Sequence, residues 1–165
     1  MSQPFANGFA SVPAAVTVEL DVPMQLRDGV TLRANIYRPA GEGRWPVLMT
    51  RLPYGKDLPI GSAMLDPVQA ARRGYVVIVQ DTRGTGKSDG DWQPFIHEAW
   101  DGVDAIIWAA ALPYSTGEVG MYGASYFGFT QWVTAVQRLP ALKALVPFET
   151  WRDPFNGQAT RGGAT

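Results

Sequence analysis

The sequence predicts an α/β protein with a mostly parallel sheet, flanking helices and antiparallel strands at its N-terminal end. Three observations carry this. Two alternating runs, Val16 to Val22 and Val30 to Tyr37, flank Arg27-Asp28-Gly29, the composition of a hairpin turn. Tyr75 to Gln80 reads Tyr-Val-Val-Ile-Val-Gln, a continuous apolar run of the kind found where both faces of a sheet are covered. Beyond residue 64, helical stretches alternate with short strands of this type.

Residues 1–15 are rich in Pro, Gly, Ser and Ala and read as a loose lead-in. After the hairpin, Pro39 and Gly41 to Gly43 break the chain, and Val47 to Thr50 is a short buried strand. Met64 to Arg73 reads as a helix with Gly74 as its C-terminal stop. His97 to Leu112 is a second helix, ended by Pro113. An apolar strand closes at Met121 and runs into a third helix, Ser125 to Arg138. Leu142 to Val146 is a last short strand. Residues 16–150 form one domain, without internal repeat or linker.

The 165 residues suffice for one core, and 46% apolar against 18% charged residues exclude a disordered chain. A net charge of −1 gives no footing for nucleic acid. The absence of cysteine excludes disulfides, thiolate metal sites and a cysteine nucleophile. Met1 to Ala15 carries no Lys or Arg and no apolar run, so it does not read as a signal peptide, and no stretch is apolar enough to span a bilayer. A cytoplasmic protein without membrane partners, metal or cofactor is expected.

The chemistry is concentrated at Gly123-Ala124-Ser125-Tyr126-Phe127-Gly128. A strand that turns at once into a helix around a serine is a nucleophile elbow, which lifts the hydroxyl above the end of a sheet and places it at a helix N-terminus. A serine can also occupy such a position merely as a helix cap. The usual pattern is Gly-x-Ser-x-Gly. Here Gly123 fits, Phe127 takes the second position after the serine, and the glycine follows one residue later.

Four further stretches occur in order with the elbow: Met24-Gln25-Leu26-Arg27-Asp28-Gly29-Val30-Thr31-Leu32, Tyr37-Arg38-Pro39, Thr50-Arg51-Leu52-Pro53-Tyr54-Gly55-Lys56, and Gln80-Asp81-Thr82-Arg83-Gly84-Thr85-Gly86-Lys87-Ser88-Asp89-Gly90. Together they resemble the cocaine esterase and X-prolyl dipeptidyl-peptidase family of α/β-hydrolases, whose elbow is Gly-x-Ser-Tyr-x-Gly. The motifs are specific jointly and weak singly. The resemblance covers residues 16 to 160 and implies an α/β-hydrolase-type sheet and a serine hydrolase acting on ester or amide bonds, X-Pro peptides included. It implies Ser125 as nucleophile, Tyr54 as an oxyanion donor through its hydroxyl, and Tyr126 as the second donor through its backbone N–H. A tetrahedral oxyanion needs two donors aimed at one point, and a phenol on a loop after a strand can reach over an elbow.

A serine hydroxyl near pH 7 needs a base, and in this fold the acid and histidine follow the serine along the chain. After Ser125 there is one Asp, Asp153, one Glu, Glu149, and no His. The resemblance therefore implies a C-terminally incomplete hydrolase domain, with residues 151–165 as the start of a truncated insertion and a missing C-terminal part as its partner. Such a chain is expected to be inactive alone and to associate into oligomers or aggregate. His97, before the serine, reads as a surface residue at a helix start, and Asp153 as a turn residue before proline.

Two other readings stand beside this one: a non-catalytic interaction module on the same fold, and a nucleotide binder. The second rests on Asp81 to Ser88, one residue short of a phosphate loop because Asp81 replaces its leading glycine. Asp89, Gly90, Asp91 and Pro94 then oppose both a phosphate and a following helix. The plainer expectation is a tight glycine loop with Arg83 paired to a nearby carboxylate. Trp92, Trp100, Trp108 and Trp132 are expected in the core and in pocket walls, with Trp108 on the apolar face of its helix.

Overall fold

A computed structural model describes residues 15–153. Six strands form one mixed sheet: β1 (Val16–Gln25), β2 (Thr31–Pro39), β3 (Trp45–Leu52), β4 (Val76–Asp81), β5 (Ser115–Ala124) and β6 (Leu142–Phe148). The helices are α1 (Pro67–Ala71), α2 (Glu98–Ala111) and α3 (Ser125–Ala135), and a 3₁₀ turn spans Pro59–Ser62. The strand order is β1-β2-β4-β3-β5-β6. β2 is antiparallel to both β1 and β4, and every other neighbouring pair is parallel.

The hairpin closes where Asp-Gly predicts. Leu26 and Val30 share a backbone bond of 2.8 Å, Asp28 accepts from the Val30 N–H, and Gly29 supplies φ of 89°. β1 continues past its expected end at Val22, through Pro23, to Gln25. It can do so because β1 is an edge strand, where a missing N–H is tolerated, and because a bulge between Glu19 and Val22 re-aims it.

β4 is buried along its whole length, as its unbroken apolar run requires. Val76 and Ile78 join Leu32, Ile36, Met49, Ile106 and Met121 in the larger core, under α2. Val77 and Val79 face the opposite way and pack with Leu52, Ala70, Tyr122 and Phe127. The sheet is thus covered on two faces by alternate residues of the same strands.

Other boundaries differ from expectation as well, and β3 (Trp45–Leu52) and α3 (Ser125–Ala135) are longer and shorter than expected, respectively. The first helix is only Pro67–Ala71, because Asp66 caps it, accepting from the N–H groups of Val68 (2.9 Å) and Gln69 (3.0 Å), and Pro67 begins the first turn. The strand before the serine does not stop at Met121 but runs through Ala124, so strand passes into helix with no loop between. The last strand reaches Phe148, two residues beyond Val146. Most of the expected lead-in, 1–15, and most of the expected insertion start, 151–165, lie outside the described residues.

Candidate active site at the carboxyl edge of the sheet

Because β3, β4, β5 and β6 are mutually parallel, their carboxyl ends share one edge. The segments that follow them carry Tyr54, the glycine loop 81–88, Ser125 and Thr150. Ligands of open α/β sheets bind at this edge.

Ser125 is the first residue of α3 and holds φ of 52°, a left-handed conformation rare for a residue with a Cβ. Both glycines of the motif have a steric reason. A Cβ on Gly123, which itself sits at φ 147°, would collide with the Phe127 side chain. A Cβ on Gly128 would lie 2.6 Å from the Thr150 Cβ. The displaced glycine therefore serves the close approach of Thr150, whose hydroxyl donates to the Ser125 carbonyl at 2.7 Å. Among the described residues no side chain caps α3, which leaves the N–H groups of its first turn without a side-chain acceptor there.

Tyr54 follows β3 and is 41% exposed. Its ring meets Phe127 edge-on, with centroids 6.0 Å apart. That contact brings the loop after β3 against the first turn of α3, so two of the sequence-predicted residues, Tyr54 and Ser125, belong to one locality. Tyr126, the third, is buried. Its ring packs with Trp92, Phe95 and Phe129, and Phe129 in turn stacks on Trp151.

The Tyr126 hydroxyl donates to Glu98 Oε1 at 3.0 Å and accepts from the Phe95 N–H at 3.0 Å. The other carboxylate oxygen of Glu98 lies 3.0 Å from Nη1 of the fully buried Arg51. Arg51 Nε donates to Gln80 Oε1 at 2.9 Å. Burial pushes the Glu98 carboxyl above its ordinary range, with Arg51 opposing. Burial, followed by the Glu98 charge, raises the Tyr126 phenol.

Gln131 was not singled out by sequence. Fully buried on α3, its amide donates to the carbonyls of Gly123, Phe127 and Val146 at 3.1, 3.0 and 3.3 Å and accepts from the Val146 N–H at 3.0 Å. It fastens the end of the elbow strand to β6. Glu98 was likewise missed as a partner. The available signal was Arg51, a charge inside a strand buried on both sides, which demands a buried carboxylate.

The glycine loop is occupied by its own protein. The Asp81 carboxylate accepts from the N–H groups of Lys56 (2.6 Å) and Lys87 (3.0 Å), and a Cβ on Gly86 would collide with that carboxylate. Residues 83–87 form turns, not the start of a helix. Arg83 is paired, as expected, with Asp101 at 2.7 Å and with Asp28 at 2.8 Å. Lys87 binds Asp21, whose hydrogen bonds from Lys56 and then Lys87 hold it down at about 2.

His97 lies just before α2, in a cavity of about 340 Å³ that it shares with Arg27, Arg83, Trp100, Asp101 and Asp104. Neither Ser125 nor Tyr54 lines that cavity. Of the tryptophans, Trp108 packs on the core as expected. Trp100 and Trp132 line cavities, also as expected, and like Trp92 stay substantially exposed, with Trp100 stacked beneath the Arg27 guanidinium. Among the described residues no helix is long and apolar enough to cross a membrane.

The family model for X-Pro dipeptidyl-peptidase (S15 family) matches residues 28–165. The cocaine esterase of Rhodococcus sp. (strain MB1 Bresler) is 38% identical over 154 residues, which are 90% of this chain and 26% of the esterase. The crystal structure of a CocE/NonD family hydrolase from Staphylococcus aureus superposes with a TM-score of 0.78 at 34% identity, over 85% of this chain and 28% of that one. An α-amino acid ester hydrolase superposes with a TM-score of 0.70 at 30% identity, over 92% and 28% respectively. The chain thus spans about a quarter of the length of the relatives it matches.

Proposed function

Since this chain belongs to the X-Pro dipeptidyl-peptidase (S15) family, we propose that it carries the nucleophile and the oxyanion hole of a serine hydrolase acting on carboxylic esters or amides. The supporting observation is Ser125, held at φ 52° at the uncapped start of α3 on the carboxyl edge of the sheet. Ser125 Oγ attacks the substrate carbonyl carbon, its proton passes to a base, and the carbonyl oxygen becomes an oxyanion. The Tyr126 N–H and the Tyr54 hydroxyl donate to that oxygen. The base then gives that proton to the leaving oxygen or nitrogen as the tetrahedral adduct collapses, which expels the alcohol or amine and leaves an acyl-enzyme that water then hydrolyses.

On this reading the base is not His97, which lines a charged cavity that neither Ser125 nor Tyr54 lines. A histidine and its orienting acid come instead, in this proposal, from the remainder of a longer protein, in keeping with relatives about four times the matched length. The names of the esterase and ester-hydrolase relatives favour an ester as the first substrate to test.

In the longer protein that contains this chain, a fluorophosphonate should label Ser125, and Ser125→Ala should lower kcat for p-nitrophenyl acetate by roughly 10⁴–10⁶-fold. Labelling at another serine, with Ser125→Ala fully active, ends this reading.

A further inference from the structure

The residue after Ser125 is unusual in what its side chain does. A tyrosine at the first turn of a helix could simply pack, and its ring does pack among Trp92, Phe95 and Phe129. Its hydroxyl, however, is committed twice, to Glu98 Oε1 and to the Phe95 N–H, each at 3.0 Å. Glu98 sits in the first turn of α2 and Arg51 near the end of β3, both almost without solvent contact. From Arg51 the line continues to Gln80 on β4 and from Gln80 Nε2 to the Met24 sulfur on β1 at 3.2 Å. One unbroken polar chain therefore crosses from β1 to α3.

Two of its members matter for the site. Arg51 precedes Tyr54 by three residues, and Tyr126 follows Ser125 directly. We infer that the Tyr126 phenol, held by Glu98 and through it by Arg51, is a positioning device that registers the start of α3 against the loop carrying Tyr54, and so fixes the two proposed oxyanion donors relative to each other. This rests on the reading of Ser125 as nucleophile. The phenol does not touch substrate, so Tyr126 acts here through its backbone and through Arg51 as a positioning residue.

The physical reason is directional. Apolar packing tolerates sliding by fractions of an ångström, whereas a buried charged group must keep its hydrogen bonds or bear the cost of desolvation. Ser125 is in a strained conformation that relaxation of its neighbours would change. A fastening one residue away limits that relaxation, and small displacements of donors are costly only when the oxyanion forms.

The test is Tyr126→Phe in the full-length protein, which removes one oxygen and keeps both the ring and the backbone N–H. Turnover of p-nitrophenyl acetate is measured per site titrated to completion with a fluorophosphonate, so that misfolded protein does not count. The expected result is kcat lower by roughly ten- to a hundredfold with KM within about twofold. Affinity for a trifluoromethyl ketone, which forms a tetrahedral adduct, should fall by the same factor as kcat/KM. A merely structural tyrosine would lower the thermal midpoint or the number of titrated sites and leave kcat per site within about twofold, which overturns the inference. Ser125→Ala run alongside separates the two failures. If it retains turnover, the nucleophile reading itself is wrong. If it is inactive while Tyr126→Phe keeps full kcat per site, only the positioning role falls.

Discussion

Ser125 is held in a backbone region that costs an L-residue roughly 1–3 kcal/mol, at φ 52°. Its neighbours close around it: Phe127 fills the space a Cβ on Gly123 would need, and the Thr150 hydroxyl donates to the Ser125 carbonyl. Beside it, Tyr54 leans on Phe127 with its ring edge. If its hydroxyl donates to the oxyanion, Tyr54→Phe removes a bond that matters mainly in the transition state. In the full-length protein kcat should then fall by roughly 10²–10³ with KM little changed, as steady-state kinetics on an activated ester would show. Unchanged kcat would assign Tyr54 to packing. The elbow was legible in the sequence because glycine, serine and strand-to-helix transition are all local. Thr150 was not, because its reason for lying there is a contact with a glycine 22 positions earlier, which no periodicity encodes.

At the scale of elements, one amide ties the junction of β5, α3 and β6 together beyond the β5–β6 ladder. Gln131 bonds the carbonyl of Gly123 on β5 and both backbone groups of Val146 on β6. Gln131→Leu keeps the volume and removes every one of those bonds. Denaturant unfolding should show a loss of about 1–3 kcal/mol for each buried group left unsatisfied. A variant as stable as the parent would mean that water replaces the amide. The other elements show where sequence reasoning reaches its limit. The hairpin at Asp28-Gly29 and the buried strand β4 were readable because turn chemistry and apolar runs are near-neighbour properties. α1 was overextended because helix-forming residues before Pro67 count for less than the cap at Asp66. β1 was cut short at Pro23 because only the sheet order reveals that it lies on an edge. The Arg51–Glu98–Tyr126 line joins three elements, and nothing in any one of them announces the other two.

For the molecule as a whole, β6 forms one border of the described sheet, with Val146 and Phe148 more than half exposed. Beside them a cavity of about 260 Å³ is lined by Leu48, Leu65, Tyr122 and Val146. A border strand with exposed apolar side chains invites a second copy of itself. The 165-residue chain produced alone should therefore sediment as more than a monomer at micromolar concentration. Val146→Lys together with Phe148→Lys should shift it toward monomer. A parent that stays monomeric shows that this border is already protected. The same strand order carries a consequence for how the protein is made. β4 lies between β2 and β3, so the four strands β1 to β4 can complete their mutual pairing once residue 81 has emerged from the ribosome. Ser125 emerges 44 residues later, on the order of seconds at ordinary translation speed. The strained turn need not nucleate anything: β5 can be laid along a finished β3, and the energy that bends the chain at the serine is drawn from a template already standing.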